Sequence, residues 1–238
     1  MTTIAGLPYP VVVEAGALHT LGRRVDEQGR VDFRGIAADR GPLEIVVAGI
    51  ARTAPNNAPG DFPTRGDVLA FHINAYNALA MYNVVRSGIP ERLSLLERVD
   101  FYKLTRFVVG GRAISLYDYE NDVIRPLGEE RVHFALNCMA RSCPRLPRGP
   151  FTGETLDGEL DAATRVFLAE PRNVQLDPAR RVLRLSSIFR FYAEDFLKRA
   201  PSLTAWINRY RTEPIPGDYR VEFTEYDWTI NAQPRDAP

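Results

Sequence analysis

Apolar positions recur with helical spacing between Asp67 and Ser87, through Val68, Leu69, Phe71, Ile73, Leu79, Val84 and Val85. Thr64, three residues ahead of Asp67, suits a cap, and Gly88 with Pro90 closes the helix. Leu18, Leu21 and Val25 mark a weaker helix, followed by a short alternating piece at Val31-Asp32-Phe33. A third helix starts at Pro42 and runs through Ile45, Val46 and Ile50 before a Pro- and Asn-rich loop at 54–60. Phe107-Val108-Val109 and Ala113-Ile114-Ser115 flank Gly110-Gly111 and predict a tight hairpin; Val174 to Leu176 and Val182 to Leu185 predict another. Ser115 and Asp118 open a short helix that Pro126 ends, and Val132 to Leu136 reads as a buried strand. A helix from Thr155 to Ala169, two short aromatic-rich helices at about 188–199 and 202–210, and a strand near Arg220 to Thr224 complete the pattern. Helices and hairpins mix without regular alternation. The reading is α+β, one domain over residues 1–238, with a mainly antiparallel sheet packed by helices.

Composition narrows the classes. A 45% hydrophobic content in 238 residues supports a real core, and 30 basic residues balance 30 acidic ones. No net field draws the chain to nucleic acid or to an anionic membrane. The N-terminus lacks the basic start and apolar stretch of a signal peptide, and no apolar run approaches ~20 residues, so no membrane span and a cytoplasmic location are expected. Two cysteines are too few for a disulfide scaffold.

Both cysteines and His133 fall within the segment Arg131 to Pro144. A thiolate nucleophile needs a nearby base and an electropositive setting; His133 offers the first, and Arg141, Arg145 and Arg148 offer the second. Cys143 is favoured as nucleophile over Cys138, because strand alternation sets His133 and Cys138 on opposite faces while the loop lets Cys143 fold back. Glu120 is the first choice to orient His133. Asn74 and Asn77, which share one face of the long helix, are alternatives or oxyanion donors. A zinc site on His133, Cys138 and Cys143 lacks an evident fourth ligand, so no metal and no cofactor is assigned. His72 and His19 stay outside the site. Arg125, before Pro126, is expected to be a buried structural cation paired with Glu120, Asp195 or Asp227.

These residues resemble the domain of unknown function 547 family of bacteria and plants. The likeness rests on Phe71 to Leu79, on Glu120 with Arg125, on His133 to Cys138, and on Ser142-Cys143-Pro144. It continues through Ser187-Ile188-Phe189, Tyr192, Asp195-Phe196 and Tyr226-Asp227-Trp228, and spans about residues 15–231. It implies that Asn74, Asn77, Glu120, Arg125, His133, Cys138 and Cys143 occupy motif positions, without assigning roles. The chain departs from that pattern with His72 where Trp is expected and Asn121 where His is expected after Glu120. The expected function is a cysteine-dependent hydrolase or acyltransferase, cysteine-peptidase-like in outline, acting on an amide or thioester of a small molecule or peptide. The rivals are a non-catalytic binding module and a thiol redox protein using both cysteines.

Overall fold

The computed structural model describes residues 3–4 and 7–234, with side chains from Gly16 onward. A short strand pair, β1 (Thr3–Ile4) and β2 (Leu7–Pro8), leads into α1 (Tyr9–Gly22), α2 (Phe33–Ala38) and α3 (Gly41–Arg52). Phe33 opens a helix capped by Asp32, so the alternating piece expected at 31–33 is confined to an isolated bridge at Val31. Helix α4 (Arg65–Arg86) is the centre of the fold. Its start is fixed by a reciprocal box: Asp67 N–H donates to Thr64 Oγ1 and Thr64 N–H to Asp67 Oδ2, both at 3.0 Å. Buried positions circle nearly the whole helix from Leu69 to Val85, which is why polar residues such as His72, Asn77 and Asn83 end up inside.

After α4 come α5 (Leu95–Val99) and a π-helical turn at Asp100–Leu104, neither anticipated from the sequence, then β3 (Arg106–Val109) and β4 (Arg112–Ser115). Gly110 and Gly111 both have positive φ, 51° and 80°, as a two-residue turn between twisted strands demands. Helix α6 (Leu116–Asp118) runs into a second π-helical turn at Tyr119–Ile124, which carries Glu120. Helix α7 (Leu156–Ala169), strands β5 (Val174–Asp177) and β6 (Val182–Leu185), helices α8 (Ser187–Phe191), α9 (Ala193–Leu197) and α10 (Leu203–Asn208), and β7 (Arg220–Phe223) follow.

The α+β class holds. The strands, however, form three small sheets rather than one: β1–β2, β3–β4, and β5–β6–β7, in which β7 joins β6 in parallel. Apolar side chains gather in two clusters. One surrounds Ile73, Leu79 and Val84 of α4; the other is an aromatic knot of Phe134, Phe167, Phe189, Phe196 and Trp206. The segment around His133 lies between them, with Val132, Ala135 and Leu136 in the first cluster and Phe134 in the second. It is a 3₁₀ turn, Glu130–Phe134, not the strand expected for Val132 to Leu136. A short apolar run carries no decisive period, and here it is shared by two cores.

Candidate functional site

The cysteine loop hangs from α4 by side-chain amides. Asn77 Nδ2 donates to Ala135 C=O at 2.9 Å while its Oδ1 accepts Asn137 N–H at 2.7 Å. Asn137 continues the scaffold, donating to Pro144 C=O at 2.6 Å and accepting Met139 N–H at 2.7 Å. Between these anchors the backbone reverses at Met139, whose φ is 64°. Asn74 clamps Phe151 in the same two-bond manner, at 2.8 and 3.0 Å. Asn74 and Asn77 thus clamp backbone through both Oδ1 and Nδ2. His133 is hydrogen-bonded to Asp195 instead of to either amide.

The reversal brings the thiols together. Cys138 N–H donates to Cys143 Sγ at 3.0 Å, and the Tyr226 hydroxyl stands 3.2 Å from both sulfurs. Both cysteines are free. Cys143 is only 3% exposed, and burial pushes its thiol well above the ordinary value. Cys138 moves the other way: hydrogen bonds from the Cys143 thiol, and then from Tyr226, outweigh desolvation and lower its pKa. Burial keeps Tyr226 protonated as a donor. These shifts favour Cys138 as the thiolate, whereas the Cys138 N–H that donates to Cys143 Sγ at 3.0 Å favours an anion on Cys143, the thiol preferred from the sequence. The arginines contribute less than expected, because Arg141, Arg145 and Arg148 are exposed and Arg145 is paired with Glu170.

His133 is 3% exposed and stacked on Tyr192, with ring centroids 3.8 Å apart. Its Nε2 lies 3.0 Å from Asp195 Oδ2. Asp195 is held well below the usual carboxylate range, first by His133 and also by Arg125 and Lys198, so it accepts and Nε2 carries the proton. The remaining lone pair is on Nδ1, which is buried and has no hydrogen-bond partner. The carboxylate that orients His133 is therefore Asp195, not Glu120. Arg125 meets the same aspartate at 2.7 Å through Nε and reaches Asn121 Oδ1 at 2.6 Å, with its side chain 22% exposed.

Glu120 faces elsewhere. It accepts the Tyr76 hydroxyl at 3.0 Å and is hydrogen-bonded by Tyr192. Glu120, His133, Cys138 and Cys143 all line one cavity of about 270 Å³ whose other walls are largely aromatic, including Tyr76, Tyr102, Tyr192 and Tyr226. Six stretches of the chain thus meet there. Tyr192 and Tyr226 enter the sequence reading only as resemblance positions, and Asp195 also as a candidate partner of Arg125; their roles here carry no periodic signal, since each acts across more than fifty residues. His72 sits apart, bonded through Nδ1 to the Tyr119 hydroxyl at 2.8 Å. Among the described residues, no group of three or more His, Cys, Asp or Glu side chains is arranged to hold a metal ion, and no helix is long and apolar enough to cross a membrane.

Residues 62–168 match the model of a family described as a protein of unknown function, DUF547. Over those residues the chain is similar to the DUF547 family. No curated protein and no solved structure matches the chain. The DUF547 segment contains both thiols, His133, Glu120 and the two asparagine clamps, whereas Asp195, Tyr192 and Tyr226 lie beyond it.

Proposed function

We infer that this protein is a cysteine-dependent hydrolase or acyltransferase acting on an amide or thioester. The observation that carries the reading is geometric: Cys138 and Cys143 line the same cavity as the His133 imidazole, whose Nε2 is bonded to Asp195 at 3.0 Å. Nδ1 of His133, unpartnered in the resting protein, takes the Cys138 proton when the reacting complex brings the two within reach, and the sulfur attacks the carbonyl carbon. The carbon–sulfur bond forms, the bond to the leaving amine or thiol breaks, and His133 returns the proton to that group. Water, or an acceptor amine or thiol, then displaces the acyl group from sulfur and yields its own proton to His133. A cavity of about 270 Å³ lies near the lower end of the ~300–1,000 Å³ usual for small-molecule sites, which favours a small substrate over an extended peptide.

A thiol redox role has one observation in its favour, the single Tyr226 hydroxyl shared by both sulfurs. The two readings separate in one experiment. Incubation with short-chain acyl thioesters should leave a hydroxylamine-labile acyl mass on Cys138, absent in Cys138→Ser and Asp195→Asn. No adduct on either thiol, together with ready formation of a Cys138–Cys143 disulfide under mild oxidant, would replace acyl transfer by redox chemistry.

A further inference from the structure

Glu120 is left without the partner that sequence reasoning gave it, and its surroundings are unusual for a carboxylate. It is 8% exposed and lines an aromatic cavity. Its hydrogen-bond donors are the neutral hydroxyls of Tyr76 and Tyr192, and both tyrosines are held protonated by burial. None of the ion pairs among the described residues includes it. The nearest guanidinium on its own segment, Arg125, is bonded to Asp195 and Asn121 instead. A second buried glutamate shows what this fold does elsewhere: Glu130 receives Trp206 Nε1 at 3.1 Å and has Arg199 and Arg209 at 3.4 and 3.5 Å. Buried carboxylates are normally matched by a cation, and π faces around one add further attraction for positive charge. At the cavity's edge Arg98 and Lys103 already lie over Trp228 and Tyr117, at 4.6 and 4.3 Å from the ring centroids. Those rim cations oppose a polycation, and they leave the inner rings and Glu120 for a single charge.

We propose that Glu120, with the rings of Tyr76, Tyr102 and Tyr192, is the receptor for one ammonium group carried by the substrate or acceptor. This deepens the acyl-transfer reading by naming the chemical class its site takes, an alkylamine or an amine-bearing acyl compound. The amine end enters the aromatic cavity, and the neutral or anionic remainder lies towards Arg98 and Lys103.

Binding can be read without any acyl chemistry. At constant ionic strength, n-butylammonium chloride should protect Cys138 of the wild-type protein from iodoacetamide, a neutral reagent, at concentrations at least tenfold below those of 1-butanol. Calorimetry on Cys138→Ser should show the same tenfold preference. Glu120→Gln, which can still accept the tyrosine hydroxyls, should erase it. Equal protection by amine and alcohol in the wild type, or an undiminished preference in Glu120→Gln, would overturn the proposal. Failure to form an acyl adduct would instead remove the acyl-transfer chemistry and leave this ammonium site standing.

Discussion

Oδ2 of Asp195 lies within hydrogen-bond reach of two nitrogens, 3.0 Å from His133 Nε2 and 2.7 Å from Arg125 Nε. One oxygen therefore fixes the imidazole tautomer and anchors the turn that carries Glu120. Asp195→Asn should fold but lose acylation of Cys138 by about 10²-fold or more, the usual scale of acid–base assistance. The pH dependence has a definite sign. A carboxylate with a lowered folded pKa adds stability above its unfolded value of ~3.9, and that stability is lost as pH falls further. Denaturant titrations from pH 6 to pH 2 should show a shallower loss in Asp195→Asn than in the parent.

Arg125→Ala removes one of three donors to Asp195, while His133 and Lys198 remain. The expected cost is about 1.5–3 kcal/mol, the range for a hydrogen bond to a charged group. An unchanged melting temperature would show that the pair contributes nothing.

The thiols should titrate apart. Alkylation followed by peptide mass analysis should place Cys138 below the ordinary thiol pKa and Cys143 above it. Tyr226→Phe deletes a hydroxyl 3.2 Å from Cys138 Sγ and should raise the Cys138 value. Arg145→Ala should leave both unchanged, because that guanidinium is exposed and paired with Glu170.

Asn77→Ala strands the Ala135 carbonyl and the Asn137 N–H inside the protein. At ~1–3 kcal/mol for each orphaned group, thermal unfolding should reveal a loss of about 2–6 kcal/mol. Cys138 should also lose its distinct alkylation pKa, since the reversal at Met139 depends on that clamp. Retention of both stability and thiol asymmetry would disprove the scaffold role.

His72 offers a second pH test. Burial lowers its pKa to about 4, whereas the unfolded chain titrates near ~6.5. Between those values the unfolded state binds the extra proton, so stability should fall as pH drops from 6.5 to 4, by of order 3 kcal/mol at the bottom of the window. His72→Phe should flatten that part of the curve. A parallel pH profile in the variant would remove His72 as its source.

Helix α4 and the Gly110-Gly111 hairpin were readable in the sequence because caps, periodicity and turn chemistry are local signals. The 130–134 turn was not, since residues committed to two different cores show no single period. Within the site, the sequence places His133 and both thiols on one segment, but it cannot say which carboxylate meets the imidazole. Glu120 and Asp195 are chemically equivalent candidates, and only the packing of α9 against the Glu130–Phe134 turn distinguishes them. Asn74 and Asn77 illustrate the same limit. Their spacing announces inward-facing amides, yet an amide that clamps backbone and one that serves catalysis look alike until their partners are known.

A segment far downstream of the cysteine loop completes this site. Tyr226 covers both sulfurs, and the stretch after it is bound back into the fold where Arg141 N–H meets Thr229 C=O, Asn231 N–H meets Met139 C=O, and Val31 N–H meets Asn231 C=O. During synthesis, the thiol-bearing loop leaves the ribosome some eighty residues before its cover. Until Tyr226 arrives, Cys138 lacks one of the donors that stabilise its anion and both sulfurs are open to oxidants. The site is therefore completed only after Tyr226 has been made, and a nascent chain stalled before Tyr226 should carry thiols that lack this cover.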